Sequence, residues 1–270
     1  MFKRCKFTAF LQRQRPWLWR LKPMAIWVLI VTLSGALTAQ AEDKFIFGVN
    51  APGSPPYLYM SDGNPNYQGL INDVLEQLGR TKNLSIEYVD SFRVRTEKFL
   101  YDGKIDAFLT SERWLSHPEK LIHSLPIALH RTFLYAMTPF PPDFDLTRLS
   151  RILMCTRRGY LYPSVQAFFD NKQFHRIDSD SQLSMMNMLK IKRCDFAIMH
   201  EYNANTILAS QAFADVTIYH SAQPVDVTDL SIFLRPELVE IKMALDQIIA
   251  NMQASGELAA SLQRHIDEGL

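Results

Sequence analysis

Three short polar runs follow apolar segments and carry the groups best suited to holding a charged ligand. Thr110-Ser111-Glu112-Arg113 follows IDAFL, Thr156-Arg157-Arg158-Gly159-Tyr160 follows RILMC, and His200-Glu201-Tyr202 follows DFAIM. A guanidinium grips a carboxylate through two parallel N–H···O bonds. A turn that opens a helix presents backbone N–H groups to an anion. Arg113, Arg157 and Arg158 therefore lean towards an anionic or carboxylate ligand. Asn50 ends the run KFIFGV, and Tyr57 and Tyr59 stand beside Pro55-Pro56. The aromatic at a Pro-Pro corner suits stacking on a flat molecule. The candidate ligand-binding set is thus Asn50, Tyr57, Tyr59, Thr110, Ser111, Arg113, Arg157, Arg158, Gly159, Tyr160, His200 and Glu201. Plainer readings stand beside these. A solvated turn accounts for Arg157 and Arg158, an ion pair with Glu112 or Glu119 for Arg113, helix-start packing for His200, and loop packing for the tyrosines.

Several common chemistries lack their marks. The sequence holds no G-x-S-x-G elbow, no phosphate-cradling glycine loop and no H-E-x-x-H. The seven histidines, at 117, 123, 130, 175, 200, 220 and 265, are scattered, and none has another four residues away. Cys155 and Cys194 have no histidine at metal-ligand spacing. No catalytic residue, cofactor or metal is expected, and the chain reads as a binder rather than an enzyme.

The elements that must position these residues alternate between two kinds. Strand-like runs fall at 44–49, 84–89, 105–110, 131–137, 151–155, 174–177, 195–199, 216–219 and 230–234. Helical runs fall at 69–80, 92–101, 162–170, 179–190 and 237–252, with a last helix to about 266. The spacing of Leu70, Val74 and Leu78 makes one apolar helix face, as does that of Leu183, Met186 and Leu189. Leu238, Ile241, Leu245, Ile248 and Met252 make another. Alternating strands and helices form a mostly parallel sheet flanked by helices. The proline-rich TPFPPDFD at 138–145 divides the pattern, which then restarts, so two α/β lobes are expected.

Residues 1–41 read as a cleavable export signal. Seven basic and no acidic residues precede the 14-residue apolar run MAIWVLIVTLSGAL, and Ala39-Gln40-Ala41 is a small-x-small cutting site. The run is shorter than the roughly 20 residues that span a bilayer, although a retained anchor stays open as an alternative. The whole chain has 29 Lys+Arg and 28 Asp+Glu. Without the lead, 22 basic residues face 28 acidic ones over 229 residues, a net charge of −6. That balance argues against nucleic-acid binding. The expected location is the periplasm, with cleavage after Ala41, and the expected state is a monomer.

The motifs and their order resemble the family 3 extracellular solute-binding proteins, the periplasmic receptors of amino-acid ABC transporters. Carrying the resemblance are Phe45 to Tyr57, Gly69-Leu70-Ile71-Asn72-Asp73-Val74 and Gly103-Lys104-Ile105-Asp106-Ala107. It continues through Pro118-Glu119-Lys120, Ser124-Leu125-Pro126-Ile127, Lys192-Arg193-Cys194-Asp195-Phe196-Ala197 and the close Met252 to Leu258. It covers nearly all of 44–266.

The resemblance implies a two-lobed periplasmic binding protein-like (type II) α/β fold, each lobe a mostly parallel sheet, with two crossover strands at a hinge. Lobe 1 would hold 42–137 plus 229–270 and lobe 2 would hold 138–228. The crossings would lie near Ala136–Pro139 and Thr228–Leu230. In that arrangement Cys155 would sit at the cleft end of its strand and Cys194 at the far end of a parallel neighbour. Their separation would exceed the roughly 7 Å that a disulfide bridges, so two free thiols are expected. Family members hold the ligand's carboxylate with an Arg and its amine with a carboxylate. Here Glu119 or Lys120 stands at the first position and His200 at the second, which puts an ordinary α-amino acid in doubt. The implied function is capture of a small polar or anionic solute for ABC-type uptake. A sensory receptor signalling to a membrane kinase or cyclase is the alternative. A dehydratase-type enzyme on the same fold would have His200 and Glu201 as its acid and base.

Overall fold

In the computed structural model, which describes residues 43–61 and 63–269, the first half runs from β1 (Asp43–Asn50) to β7 (Ala128–Ala136). Between them lie the two-residue pair β2 (Gly53–Ser54) and β3 (Leu58–Tyr59), α1 (Leu70–Lys82), β4 (Leu84–Ser91), α2 (Arg93–Tyr101), β5 (Ala107–Thr110) and β6 (Ile122–His123). The second half holds β8 (Ile152–Arg157), α3 (Gln166–Asp170), β9 (Phe174–Ser179), α4 (Gln182–Lys190), β10 (Phe196–His200), α5 (Glu201–Ala209), β11 (Tyr219–His220) and β12 (Asp226–Leu234). Helices α6 (Val239–Ser255) and α7 (Glu257–Glu268) close the chain. The described residues belong to one compact unit, Glu42–Leu270. The expected signal, 1–41, lies outside the described residues. None of the helices among the described residues is long and apolar enough to cross a membrane.

One sheet runs β4-β1-β5-β12-β7-β10-β8-β9, with β6 beside β12 and β11 beside β7. The order is a palindrome of equivalent elements, because β9-β8-β10-β7 repeats β4-β1-β5-β12. The outer strands are parallel, β1 with β4 and β5, and β8 with β9 and β10. The two central strands run antiparallel to their neighbours. Asp226–Leu230 of β12 pairs with β7, and Ser231–Leu234 pairs with β5. Likewise β7 gives Ala128–Thr132 to β12 and Thr132–Tyr135 to β10. The first handover therefore falls inside β7 at Thr132, earlier than Ala136–Pro139.

Equivalent sequence steps do equivalent jobs in the two halves. Asp106 accepts a hydrogen bond from the Ile46 N–H at 2.7 Å, and Asp195 accepts one from the Leu153 N–H at 2.7 Å. Ser124 accepts from the Ile232 N–H at 3.0 Å and Ser221 from the Leu134 N–H at 3.3 Å. Each ties down a backbone donor that would otherwise be unpaired inside the protein.

The first half's core gathers Phe45, Phe47 and Val49 of β1 with Leu70, Ile71, Val74, Leu75 and Leu78 of α1. Leu245, Ile249 and Met252 of α6 complete it. Burying each large apolar side chain stabilises the fold by about 1.5–3 kcal/mol. Helix α1 stops at Asn83, whose φ of 54° breaks the repeat. Gly256, with φ of 79°, separates α6 from α7.

Three local expectations need correction. The helix expected over 162–170 is only α3, Gln166–Asp170. The Tyr162 hydroxyl accepts a bond from the Arg157 N–H at 2.9 Å, which holds the preceding residues as a loop over the end of β8. The strand expected at 216–219 shrinks to β11, because Val216 and Ile218 pack against the core without ladder partners. On α4 the inward residues are Met185, Met186 and Leu189, while Leu183 is half exposed.

The cysteines form a disulfide, Cys155–Cys194, with Cα atoms 5.7 Å apart, instead of two free thiols. The expectation measured the gap along straight strands. In the sheet, Ala197 stands opposite Cys155, but β10 begins only at Phe196 and the chain bends over residues 193–195 before it. That bend leaves Cys194 within bridging reach.

Candidate functional site

A cavity of about 370 Å³ opens between the two halves of the sheet. That lies within the range of small-molecule sites. It is walled by the ends of parallel strands, where such folds bind ligands, and by the two antiparallel strands β7 and β12.

Tyr57 reaches the cavity because its loop is anchored on α1. The Leu70 and Ile71 N–H groups donate to the Pro56 and Tyr57 carbonyls at 3.0 and 2.9 Å. Gly69 permits this, since its φ is 123° and a Cβ there would stand 2.5 Å from the Tyr57 oxygen. Across the cavity, the Tyr57 hydroxyl lies 3.1 Å from His200 Nε2. Ser54 bridges the same gap by hydrogen-bonding Asn203. The His200 ring stacks on His130 of β7, centroids 3.8 Å apart and planes 15° from parallel. Trp114 meets His130 edge-on at 5.0 Å.

Burial sets the charge state of this cluster. It depresses the His130 pKa to about 3. It drives His200 well below its ordinary value, helped by His130 and Arg131. Both rings are therefore neutral near pH 7. Burial raises the Tyr57 pKa, assisted by Tyr202 and Glu201, so its hydroxyl keeps its proton.

Two buried guanidinium groups also line the cavity, Arg93 from the first half and Arg157 from the second, each 8% exposed. Arg93 opens α2, whose first turn has no acidic residue. Its Nη1 lies 3.4 Å from Glu97, and its buried Nη2 has no hydrogen-bond partner among the described residues. The Arg157 side chain reaches the Ser179 carbonyl at 3.5 Å. Its guanidinium sits 5.9 Å from the Tyr160 ring.

Of the twelve sequence candidates, Asn50, Tyr57, Thr110, Arg157, Tyr160 and His200 line the cavity. The other six do not. Tyr59 turns towards α7, its hydroxyl 3.2 Å from His265 Nδ1. Ser111 bonds Thr228 at 2.7 Å beneath the hinge. Arg113 pairs with Asp226 at 2.6 Å, so its partner is neither Glu112 nor Glu119. Arg158 is two-thirds exposed and pairs with Asp180 at 2.6 Å. Gly159, with φ of 75°, marks a close approach of the halves, since a Cβ there would lie 3.2 Å from Val94. Glu201 is held by Arg131 at 2.7 Å and is not among the residues lining the cavity.

The residues missed include Arg93, His130, Ser164 and Asn203. Arg93 had a signal, because it stands two residues past the end of β4 and strand ends are where ligands are met. His130 had none, lying in mid-strand on an antiparallel element. Five buried polar atoms of the cavity lining have no partner among the described residues: Asn50 Oδ1, Arg93 Nη2, His130 Nδ1, Ser164 Oγ and His200 Nδ1. Buried groups are nearly always paired, and their gathering around one cavity is what a ligand would satisfy.

No protein-family model and no curated protein sequence matches the chain. Solved structures do. One is an amino-acid ABC transporter substrate-binding protein from Streptococcus pneumoniae bound to L-arginine, at 14% identity and TM-score 0.67, covering 84% of this chain and 95% of that one. An arginine transport system periplasmic binding protein from Legionella pneumophila is 17% identical with TM-score 0.65, covering 83% and 99%. A histidine kinase sensor domain with similarity to periplasmic binding proteins is 14% identical with TM-score 0.68, covering 83% and 95%. At these identities the likeness establishes the fold, which is that of the periplasmic-binding-protein-like domains.

Proposed function

We propose that the protein is a solute receptor, which captures a small polar or anionic molecule between two lobes and delivers it to an ABC-type importer. Lobe 1 would comprise 42–137 plus 229–270 and lobe 2 would comprise 138–228, hinged on β7 and β12. The observation that carries this reading is the set of buried polar atoms without partners, contributed by both halves of the sheet to one cavity. Solved structures of the same fold include transporter substrate-binding proteins, which supports the assignment. The receptor would be exported, cut after Ala41 and free in the periplasm as a monomer. N-terminal sequencing of the exported protein should begin at Glu42.

The test is a thermal-shift screen of the purified protein against amino acids, small carboxylates and polyamines. A ligand stabilises by RT ln(1 + [L]/Kd), so micromolar binders are visible at millimolar concentration. No shift with any solute, and no contraction in small-angle scattering, would sink the receptor reading.

A second reading rests on the likeness to a kinase sensor domain. The same cleft would then report solute to a membrane partner. Ligand uptake by intact cells separates the two, since loss of the protein abolishes uptake only in the transport case.

A further inference from the structure

The charges of the cavity wall narrow the class of solute, and this step rests on the receptor reading above. Three charged residues line the cavity among those described: Arg93, Arg157 and Asp226. Asp226 is already neutralised by Arg113 at 2.6 Å, and Glu201, the nearest carboxylate in sequence to the His200 wall, is held by Arg131 at 2.7 Å and does not line the cavity. Arg157 has no carboxylate within ion-pair distance among the described residues, while Arg93 is paired with Glu97 at 3.4 Å but keeps a buried N–H without an acceptor. The free charge of the wall is therefore positive.

The placement of Arg93 breaks a local rule. A cation at a helix N-terminus opposes the helix dipole, and burying a guanidinium with an unmet donor costs further. Such local conflicts concentrate at functional sites. The Arg157 guanidinium sits 5.9 Å from the Tyr160 ring. Arg93 opens the helix that meets the same loop from the other half, since a Cβ on Gly159 would stand 3.2 Å from Val94. An acceptor for both would join the halves.

The rest of the wall is uncharged, though it includes the unpaired acceptor Asn50 Oδ1. His130 and His200 are neutral, and Tyr57, Trp114, Leu161 and Leu183 supply apolar and aromatic surface. An ammonium group in this cavity would be buried beside an excess of positive charge with no free carboxylate.

We infer that the ligand is an organic carboxylate with an apolar or aromatic body and no amine, its anionic group clamped between Arg93 and Arg157.

The test uses matched pairs on the purified protein, read by thermal shift and titration calorimetry. The amine-free acids are 3-phenylpropionate, 4-methylpentanoate and glutarate. Their α-amino counterparts are phenylalanine, leucine and glutamate, and phenethylamine serves as the amine alone. The expected result is that at least one amine-free acid binds, about tenfold or more tighter than its α-amino counterpart, and that phenethylamine gives no shift. An α-amino acid binding as tightly as its counterpart, or more tightly, overturns the inference and leaves the receptor reading intact. No binding by any of the seven overturns the inference, and the wider screen above then decides the receptor reading. Arg157→Gln should weaken the bound acid about tenfold or more, and Arg157→Lys, which keeps the charge but loses the fork, should weaken it less. Affinity unchanged in Arg157→Gln, in a protein whose melting shows it folded, removes the clamp.

Discussion

His130 and His200 lie face to face, ring centroids 3.8 Å apart, one on the strand that joins the two halves and the other at the end of a second-half strand. His200 is buried and His130 half-buried, and neither buried Nδ1 has a partner among the described residues. The arrangement tolerates two neutral rings and resists two charged ones.

Stability should fall on acidification through these rings. Their pKa values are depressed in the folded protein, His130 to about 3, while the unfolded chain titrates near 6.5. The unfolded state therefore binds protons that the folded state refuses, and stability is full above about pH 6.5. It should drop as pH falls below that, by up to about 1.4 kcal/mol per pH unit for each ring. Melting temperatures from pH 8 to pH 4 check this, and His130→Asn should flatten the slope. An unchanged slope in that variant would show that carboxylates alone set the profile.

Tyr57→Phe should cost about 1 kcal/mol, because it removes the 3.1 Å contact to His200 and leaves a third unmet polar atom in the pair. The loss should be smaller in an open form, where the halves do not touch. Comparing melting shifts with and without a bound solute measures the difference.

The fold's general plan was legible, and the residues show why. Asp106 and Asp195 recur at the same step of the repeated pattern because each ties down the backbone of a neighbouring strand. Helix faces such as Leu70, Val74 and Leu78 announced themselves by spacing. Contacts set by register stayed hidden. The pairing of Arg113 with Asp226 spans 113 positions, and nothing local prefers it over Glu112. His130 reads as one more residue of a strand until β10 is laid beside it. The disulfide was hidden by the bend at residues 193–195, which a count of extended residues does not see.

Replacing Cys155 and Cys194 with alanine should destabilise the protein by about 3–4 kcal/mol, the loop-closure entropy for their separation of 39 residues. Mass analysis of the oxidised protein should show two hydrogens fewer than the reduced form. Full thiol labelling without reductant would refute the bridge.

Gly69→Ala should be more damaging than its size suggests. Its Cβ would fall 2.5 Å from the Tyr57 carbonyl at a φ that alanine disfavours. The expected loss is about 2 kcal/mol or more, with solute affinity reduced further because the Tyr57 loop must shift. Urea denaturation and calorimetry read the two effects separately.

The handover within β12 has a kinetic meaning. Its residues Ser231–Leu234 fill the place beside β5, about 120 positions earlier in the chain. The first sheet is thus unfinished until almost all of the polypeptide is available. Such non-local pairing is slow to form, and it makes the halves interdependent. Neither half is an autonomous folding unit, so denaturation should proceed in one cooperative transition, and splitting the chain at the proline-rich connector should yield two insoluble pieces that recover structure only when refolded together.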